Sequence, residues 1–475
     1  MKSKIVLLNP VSDYGGCIRS GRCQTRFQPG LGLWPPVDLA EIGACIKTIK
    51  GEYDIWLFDA QVSNDYVSMI SSLKMYEPTI LIINCTTPTL QSDLQIAHVM
   101  KQWSKEIKIL FFGLHGTAYP EDVLKDGSVD WCILGEAEYS IYKICECIIN
   151  NNSQIYSIPN IAYLDENQNI KFTNRGNDEE TKKLFLKLWP DRSLYDNGLY
   201  KLKYNNKIFT IVRVARGCEH NCIYCTARMY SGRLCKRSVE SVLTELKEIK
   251  YKYGIEHVMF LSDNFTEDLI WIDELCNRIL NEKLQIQWIA NSRVDTIDEQ
   301  RIILMKKAGC WLLSLGIESG NDMILKNAAK GINTNKSRET VNILHKYGFV
   351  ILGYFMIGLP GETKETVEET IDFACSLPLN FAYFYYATPF PGTILYQICE
   401  KNGWLITKEW KKYFHGENAL ICYNEEFYKY ISSAKRKAYR RFYFRISWFL
   451  KQIKSIKSIR ILINYMEEGI RMIKQ

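Results

Sequence analysis

The stretch "ARGCEHNCIYC", residues 215–225, places Cys218, Cys222 and Cys225 on one short loop. The C-x3-C-x2-C spacing is too tight for ordinary structural pairing, and no fourth cysteine follows at cluster-like distance. Three thiolates so arranged can hold three irons of a [4Fe–4S] cube and leave the fourth iron for an exogenous ligand. A zinc site is the alternative, with His220 inside the loop as a fourth ligand, and a chance grouping is the third reading. The chain has 16 cysteines in all, most of them single in apolar runs such as Cys85 in "LIINCTT" and Cys310 in "KKAGCWLL". Those read as small buried hydrophobes in a reducing compartment.

The elements around the trio alternate regularly. From about residue 207, apolar strands read "IFTIVRVA", "HVMFLSD", "IQWIANSR", "CWLLSLGIES", "FVILGYFMIG" and "NFAYFYYA", with helical stretches between them. Six βα units predict a partial (β/α)6 barrel of TIM type, with chemistry at the carboxyl ends of its strands. The trio follows the first of those strands. Upstream, "KIVLLNP", "YDIWLFD", "TILIINC", "IKILFFG" and "VDWCILG" are short and continuously apolar, as strands buried on both faces are. Helix-length segments separate them, so the first part of the chain reads as a doubly wound, Rossmann-like parallel sheet. Its strand ends carry "NCTTPT" (84–89), "GLHGTAYP" (113–120) and "GEAE" (135–138), where a ligand of such a sheet binds. The expected division is 1–148 for this sheet, 149–204 for a polar linker with a small hairpin, 205–402 for the barrel and 403–475 for a helical end.

At 475 residues, 47% hydrophobic and 24% charged, the composition is that of a soluble globular protein with two or three cores. The start "MKSKIVLLNP" reads as a buried strand and not as a signal peptide, and no run of about 18 apolar residues predicts a spanning helix. The net charge of +7 is unevenly placed: residues 429–475 hold thirteen Lys or Arg against two Glu, so the rest of the chain is net acidic. The catalytic body is thus not basic, whereas the end of the chain is. The basic end, "KRKAYRRFYFRISWFLKQIKSIKSIRILINYMEEGIRMI", reads as a helical cover for the barrel's open side, or as an amphipathic surface for anionic lipid headgroups. Nucleic acid is less favoured, because no stacking platform accompanies the charge.

C-x3-C-x2-C after the first strand of a barrel resembles the radical S-adenosylmethionine superfamily. The likeness runs on through "FLSDNF", "MKKAGCWLLSLGIESG", "MIGLPGET" and "PFPGT", over roughly 205–400. The resemblance implies that Cys218, Cys222 and Cys225 hold a [4Fe–4S] cluster whose open iron chelates the methionine moiety of S-adenosylmethionine. It implies that Tyr224 packs near adenine and that Ser262, Asp263 and Asn264 contact the methionine amino group. Glu318 of "GIESG" would reach the ribose or amino group, and Arg293 is placed with them. An ion pair between Glu318 and Arg293 is the structural alternative for both. "GLPGET" also fits a plain strand–turn–helix with Thr363 as the helix cap.

The first part of the chain is similar to the cobalamin-binding domain that precedes many of these barrels. That implies cobalamin contacts at Thr86, Thr87, Gly113, His115, Gly116, Gly135 and Glu136. The histidine-bearing signature D-x-H-x-x-G is missing; "FDAQVSN" offers Asp59 and Gln61 instead, so the lower face of a bound corrin is expected to lack a protein histidine. Gln61 reads most simply as a solvent-facing loop residue, and His115 as a residue that orients its loop. Leu114 stands where the family usually has glycine. Within 21–46, "WPPVDLA" reads as a helix start with Pro36 near its first position, and Gly21, Arg22 and Cys23 line either the cofactor cleft or the surface.

The family implies an enzyme that cleaves S-adenosylmethionine reductively and modifies an unactivated carbon of a small-molecule or lipid substrate. C-methylation, with the corrin carrying the methyl group, is the commoner outcome; cobalamin-assisted cyclisation, oxidation or rearrangement is the alternative. A reducing partner such as flavodoxin or ferredoxin is implied, with a cytoplasmic location and membrane contact through 429–475. Two rivals remain. An RNA methylthiotransferase would need a second cluster, for which Cys17, Cys23 and Cys45 have the wrong context, and a non-catalytic sensor would not need "GIESG" and "MIGLPGET".

Overall fold

The computed structural model describes residues 2–12, 16–19, 24–26, 32–176, 179–202, 205–445 and 448. The first five apolar runs are strands β1 (Ser3–Asn9), β2 (Tyr53–Asp59), β3 (Ile80–Asn84), β4 (Lys108–Phe112) and β5 (Trp131–Ile133), parallel in the order β2–β1–β3–β4–β5. They are continuously apolar because both faces are covered. Val6, Leu81 and Ile83 pack under Met69, Leu73 and Ile96 of α2 (Tyr66–Tyr76) and α3 (Leu90–Trp103). Ile5, Leu7 and Ile82 pack under Leu39, Ile42 and Ile144 of α1 (Val37–Ile46) and α6 (Glu138–Ile149), while α4 (Leu114–Ala118) and α5 (Pro120–Leu124) follow β4. Pro36 stands at the N-cap position, one residue before α1 begins and not inside its first turn, and makes no side-chain capping bond.

Residues 149–204 do more than link. The expected hairpin, β6 (Ile161–Leu164) and β7 (Ile170–Phe172), adds antiparallel to β5 and widens the first sheet to seven strands. Helix α7 (Glu179–Lys187) then lies against α6.

The second sheet comprises β8 (Phe209–Arg213), β9 (His257–Leu261), β10 (Gln287–Ser292), β11 (Cys310–Glu318), β12 (Val350–Ile357) and β13 (Phe381–Tyr386), all parallel and in chain order. Its outer face, with Val212, Phe260, Leu313, Leu315, Phe355 and Phe384, packs on the crossover helices α9 (Val239–Tyr253), α10 (Leu269–Asn281), α11 (Glu299–Lys307), α13 (Thr334–Lys346) and α14 (Lys364–Ser376), while the short α8 (Ala227–Ser231), α12 (Asp322–Asn327) and α15 (Ile394–Lys401) follow β8, β11 and β13. Thr363 caps α14 in a reciprocal box with Thr366, as the "GLPGET" turn predicts. On the inner face Phe209, Ile211, Met259 and Ile289 meet Trp34, Val37, Tyr200 and Leu202, so upstream residues fill part of the barrel's interior.

An open barrel leaves two strand edges, and side chains seal both. On β8 the Ile211 carbonyl accepts from Arg192 at 2.6 Å and the Arg213 carbonyl from Arg237 at 3.2 Å. Glu245, wholly buried, pairs with both guanidinium groups. On β13 the Tyr443 hydroxyl bonds both the Ala382 amide and carbonyl, and the Tyr439 hydroxyl does the same at Phe384. The two tyrosines stand four residues apart on α16 (Glu425–Tyr443), a rise of about 6 Å, which matches the roughly 6.6 Å between alternate residues of a strand. The indole of Trp448 extends the series to the Asn380 carbonyl.

Helix α16 therefore covers the barrel's side. Its Lys437 and Arg441 pair with Glu368, and Arg441 also with Asp372. The remainder of the 429–475 expectation, beyond Trp448, lies outside the described residues, as do Gly21, Arg22 and Cys23. Among the described residues no helix is long and apolar enough to cross a membrane.

Candidate active site

After β8 the chain makes a two-residue ladder, Ala215–Arg216 against Cys235–Lys236, and then turns at Gly217. Gly217 has φ +77°, and a Cβ there would meet the Arg233 carbonyl oxygen at 2.3 Å, so only glycine starts this loop. The loop is tied to three distant elements. The Cys218 amide donates to the Gly232 carbonyl, the Ile223 amide to Ala328 at 3.2 Å, and the Leu395 amide to Ile223 at 2.8 Å. Cys218, Cys222 and Cys225 are half-buried on it. His220 is engaged with Glu267 at 3.1 Å, and among the described residues no three His, Cys, Asp or Glu side chains converge on a single-ion site. A closed Cys3His site would require His220 to give up Glu267.

The residues expected around S-adenosylmethionine lie beside this loop, in unequal roles. The Tyr224 hydroxyl and Ser262 Oγ are buried without a hydrogen bond, which is costly unless a ligand completes them. Burial, with Glu318 and the Cys222 thiol close by, holds the Tyr224 phenol well above its ordinary pKa. Asp263 follows at the end of β9. The Asn264 side chain is internally engaged: its amide donates to Glu267 and Thr296, and its oxygen accepts from the Arg293 amide at 3.2 Å.

Glu318 departs from the expected pairing with Arg293. Arg293 forks onto Asp295 at 2.8 Å and donates to the Lys330 carbonyl at 2.7 Å. Glu318 pairs instead with Lys330 Nζ at 2.9 Å, a residue that sequence reasoning missed. The only signal for Lys330 was a lysine among small residues in "NAAKGIN". Glu318 has φ +66° beside an irregularity in strand register, and the pair folds over Gly316, where a Cβ would meet Glu318 Oε1 at 2.7 Å and Lys330 Nζ at 2.8 Å. Burial raises the pKa of the Cys222 thiol, and the nearby Lys330 and Arg293 charges oppose that rise only in part.

The first sheet points its strand ends at the same space, but most residues assigned there have partners within the chain. A Cβ on Gly113, at φ +122°, would meet the Cys85 carbonyl oxygen at 2.4 Å, and one on Gly116 would meet the Cys132 thiol at 2.5 Å. Thr86 bonds Thr89 at 2.8 Å, and the Thr87 amide donates to Gln24 Oε1 at 2.7 Å. Glu136 binds Ser231 at 2.5 Å and Arg216 at 3.2 Å, so it joins the two sheets. His115 is fully buried against Trp410, with neither ring nitrogen hydrogen-bonded and Asp122 3.6 Å away. Gly135 has φ +74°, and a Cβ added there would lie 3.6 Å from the Tyr230 carbonyl oxygen, an ordinary contact. Gln61 is buried, contrary to the solvent-facing reading, because its amide bonds Asn9 at 3.0 Å and its oxygen takes the Cys17 amide.

A buried ion cluster locks the two strand-end regions together. Arg213 pairs with Asp38 and Glu41, and Arg216 with Glu41 at 2.7 Å, Glu136 at 3.2 Å and Glu138 at 2.5 Å. Burial and crowding among four carboxylates push Glu41 up to about 8 and Glu136 up to about 7, while Arg216 is held firmly charged.

The radical SAM superfamily model matches residues 212–374. The chain is 31% identical over 436 residues to an uncharacterized methyltransferase of Pyrococcus horikoshii, covering 88% of this chain and 90% of that one. It is 25% identical over 375 residues to the anaerobic magnesium-protoporphyrin IX monomethyl ester cyclase of Rubrivivax gelatinosus, covering 77% of this chain and 66% of that one. Among solved structures, the radical S-adenosylmethionine methyltransferase TsrM of Kitasatospora setae, with cobalamin and a [4Fe–4S] cluster bound, superposes with a TM-score of 0.66 at 14% identity, over 85% of this chain and 76% of that one. The chain belongs to the radical S-adenosylmethionine superfamily, and its two facing sheets have the architecture of a cobalamin-dependent member.

Proposed function

We propose that the protein methylates an unactivated carbon of a small organic substrate, using S-adenosylmethionine, a [4Fe–4S] cluster and cobalamin. The observation that carries this reading is the apposition of the two sets of strand ends. Arg216, two residues before Cys218, reaches Glu136 and Glu138 just past β5. A group held on the first sheet thus faces one held on the barrel.

The residues present fit both groups. Cys218, Cys222 and Cys225 would hold the cluster, and the orphaned Tyr224 hydroxyl and Ser262 Oγ stand where S-adenosylmethionine would complete them. Cobalamin would sit over Gly135, next to the turn that carries the fully buried His115, and not against Gly113 or Gly116, where an added Cβ would meet the chain's own atoms. When bound, the cluster supplies one electron for cleavage of the sulfonium, and cobalamin supplies the methyl group. The protein's own contribution is position and charge. Lys330 and Arg293 oppose the burial-driven rise of the Cys222 thiol, Gly217 and the loop's three backbone ties fix the trio, and the Arg213–Arg216 cluster sets the distance between the sheets. A flavodoxin- or ferredoxin-type donor would deliver the electron.

Anaerobic reconstitution with iron, sulfide and hydroxocobalamin tests the reading. The expected result is a brown protein that retains about one corrin per chain and releases 5′-deoxyadenosine when reduced. The Cys218→Ala, Cys222→Ala and Cys225→Ala variants should lose the visible absorption; retention of it defeats the assignment. Mass spectrometry of metabolites from cells with and without the gene should show one added methylene. Loss of two hydrogens without it would move the reading to ring closure, the activity named for the Rubrivivax relative.

A further inference from the structure

The outer side of the cysteine loop is framed by three short helices. The Ile223 amide donates to the Ala328 carbonyl at 3.2 Å, just past α12, and the Ile223 carbonyl accepts from the Leu395 amide at 2.8 Å, at the start of α15. Arg228 of α8 donates to the Glu219 carbonyl at 3.3 Å and to Asn221 Oδ1 at 2.7 Å, both on the loop. The helices keep an exposed face where they meet the loop. Met323, 70% exposed, lies three and four residues before the exposed Lys326 and Asn327 and so shares their side of α12. Ile394, 49% exposed, opens α15 beside Leu395. Arg233 follows Gly232, whose carbonyl holds the Cys218 amide. Arg228, Arg233 and Lys326 are exposed, and among the described residues none of the three has a carboxylate partner. The loop's own Glu219 is turned to the Leu234 amide at 3.1 Å, and Asp322 and Glu369 lie at the far end of α12, held by the Thr334 amide and by Asn321. The surface nearest the cysteines is therefore positive, on a chain whose residues before 429 are net acidic.

We infer that this face is where a small acidic one-electron carrier protein docks to reduce the cluster; the inference rests on the cluster reading of the loop proposed above. Electron transfer falls steeply with distance, so a donor must approach over the thinnest cover. Ile223, between Cys222 and Tyr224, is bonded through its backbone to both exposed helix ends, so a protein seated on them is separated from the cysteines by little more than that residue. Electron-transfer encounters are small and short-lived, and they need a little apolar contact with complementary charge around it. Met323 and Ile394 supply the contact, and Arg228, Arg233 and Lys326 supply the charge that steers an acidic partner. The step moves one electron: the carrier is oxidised by one, the cluster is reduced by one, and no bond forms or breaks at the surface.

The test uses the full-length, anaerobically reconstituted protein with two acidic carriers, a flavodoxin and a [4Fe–4S] ferredoxin, and with the methyl viologen radical cation as a small reductant of opposite charge. At least one carrier is expected to reduce the cluster, at a rate that falls about tenfold between roughly 0.05 and 0.5 M NaCl. The double variant Arg233→Glu, Lys326→Glu should slow that carrier about tenfold at low salt and remove most of its salt dependence, while methyl viologen reacts at least as fast as before. The same change of charge in Lys283→Glu, Lys307→Glu, at exposed residues that lead into the starts of β10 and β11 at the other end of the barrel, should leave both rates within about twofold. Failure of both carriers, a rate indifferent to salt, or equal rates in the two double variants overturns the inference. Failure of methyl viologen to reduce the wild-type protein sinks the cluster reading as well, whereas carriers that fail beside a working viologen sink the docking face alone.

Discussion

Ser262 and Lys330 show how single residues betray a site. Ser262 Oγ is buried without a partner, a condition that costs about 1–3 kcal/mol when nothing completes it. Ser262→Ala should leave the apoprotein at least as stable while lowering affinity for S-adenosylmethionine about tenfold. Thermal unfolding and equilibrium dialysis on the same preparation read the two signs, and a stability loss with unchanged affinity would assign the hydroxyl to the fold. Lys330 acts in the opposite sense, since Glu318 depends on it for charge balance in a buried place. Lys330→Met should therefore cost about 3–5 kcal/mol, and adding Glu318→Gln should recover much of that loss; denaturant midpoints measure both. Glu318 was legible in the sequence because a carboxylate closing an apolar strand needs a partner. Which cation supplies it was not, because Lys330 and Arg293 are equally plausible until the loop after α12 (Asp322–Asn327) is placed.

At the scale of elements, the apolar runs of "TILIINC" and "FVILGYFMIG" could be read directly, because burial on two faces leaves an unbroken signature in the chain. The hairpin at 161–172 was visible only as a break in a polar stretch, since its residues are mostly half exposed. The edge seals left no local trace. Tyr439 and Tyr443 act on residues 55 and 61 positions away, and nothing in "KRKAYRRFYF" shows which way its phenols point. The double variant Tyr439→Phe, Tyr443→Phe keeps both rings and removes the four bonds to β13. It should destabilise the protein by about 2–4 kcal/mol and promote self-association through the bared strand, measured by chemical denaturation and by sedimentation. Single-variant losses near zero would mean that water replaces the phenols.

For the molecule as a whole, the acids around Arg213 and Arg216 couple stability to pH. Folding raises Glu41 from 4.5 to about 8 through burial, so the folded chain binds more protons than the unfolded one between those values. The stabilising contribution is complete below the unfolded value and disappears as pH rises through the folded one. The melting temperature should accordingly fall between about pH 5 and about pH 8, with a shallower slope in Glu41→Gln, as a fluorescence melt series would show. The same cluster bears on how such proteins can be recombined. The loop of Cys218, Cys222 and Cys225 begins two residues after Arg216, a side chain whose carboxylates all come from the front of the chain. A barrel excised from its natural companion would carry two stranded guanidinium groups at the root of that loop. Any chimera that grafts a foreign front piece onto this barrel must bring acids to match Asp38, Glu41, Glu136 and Glu138.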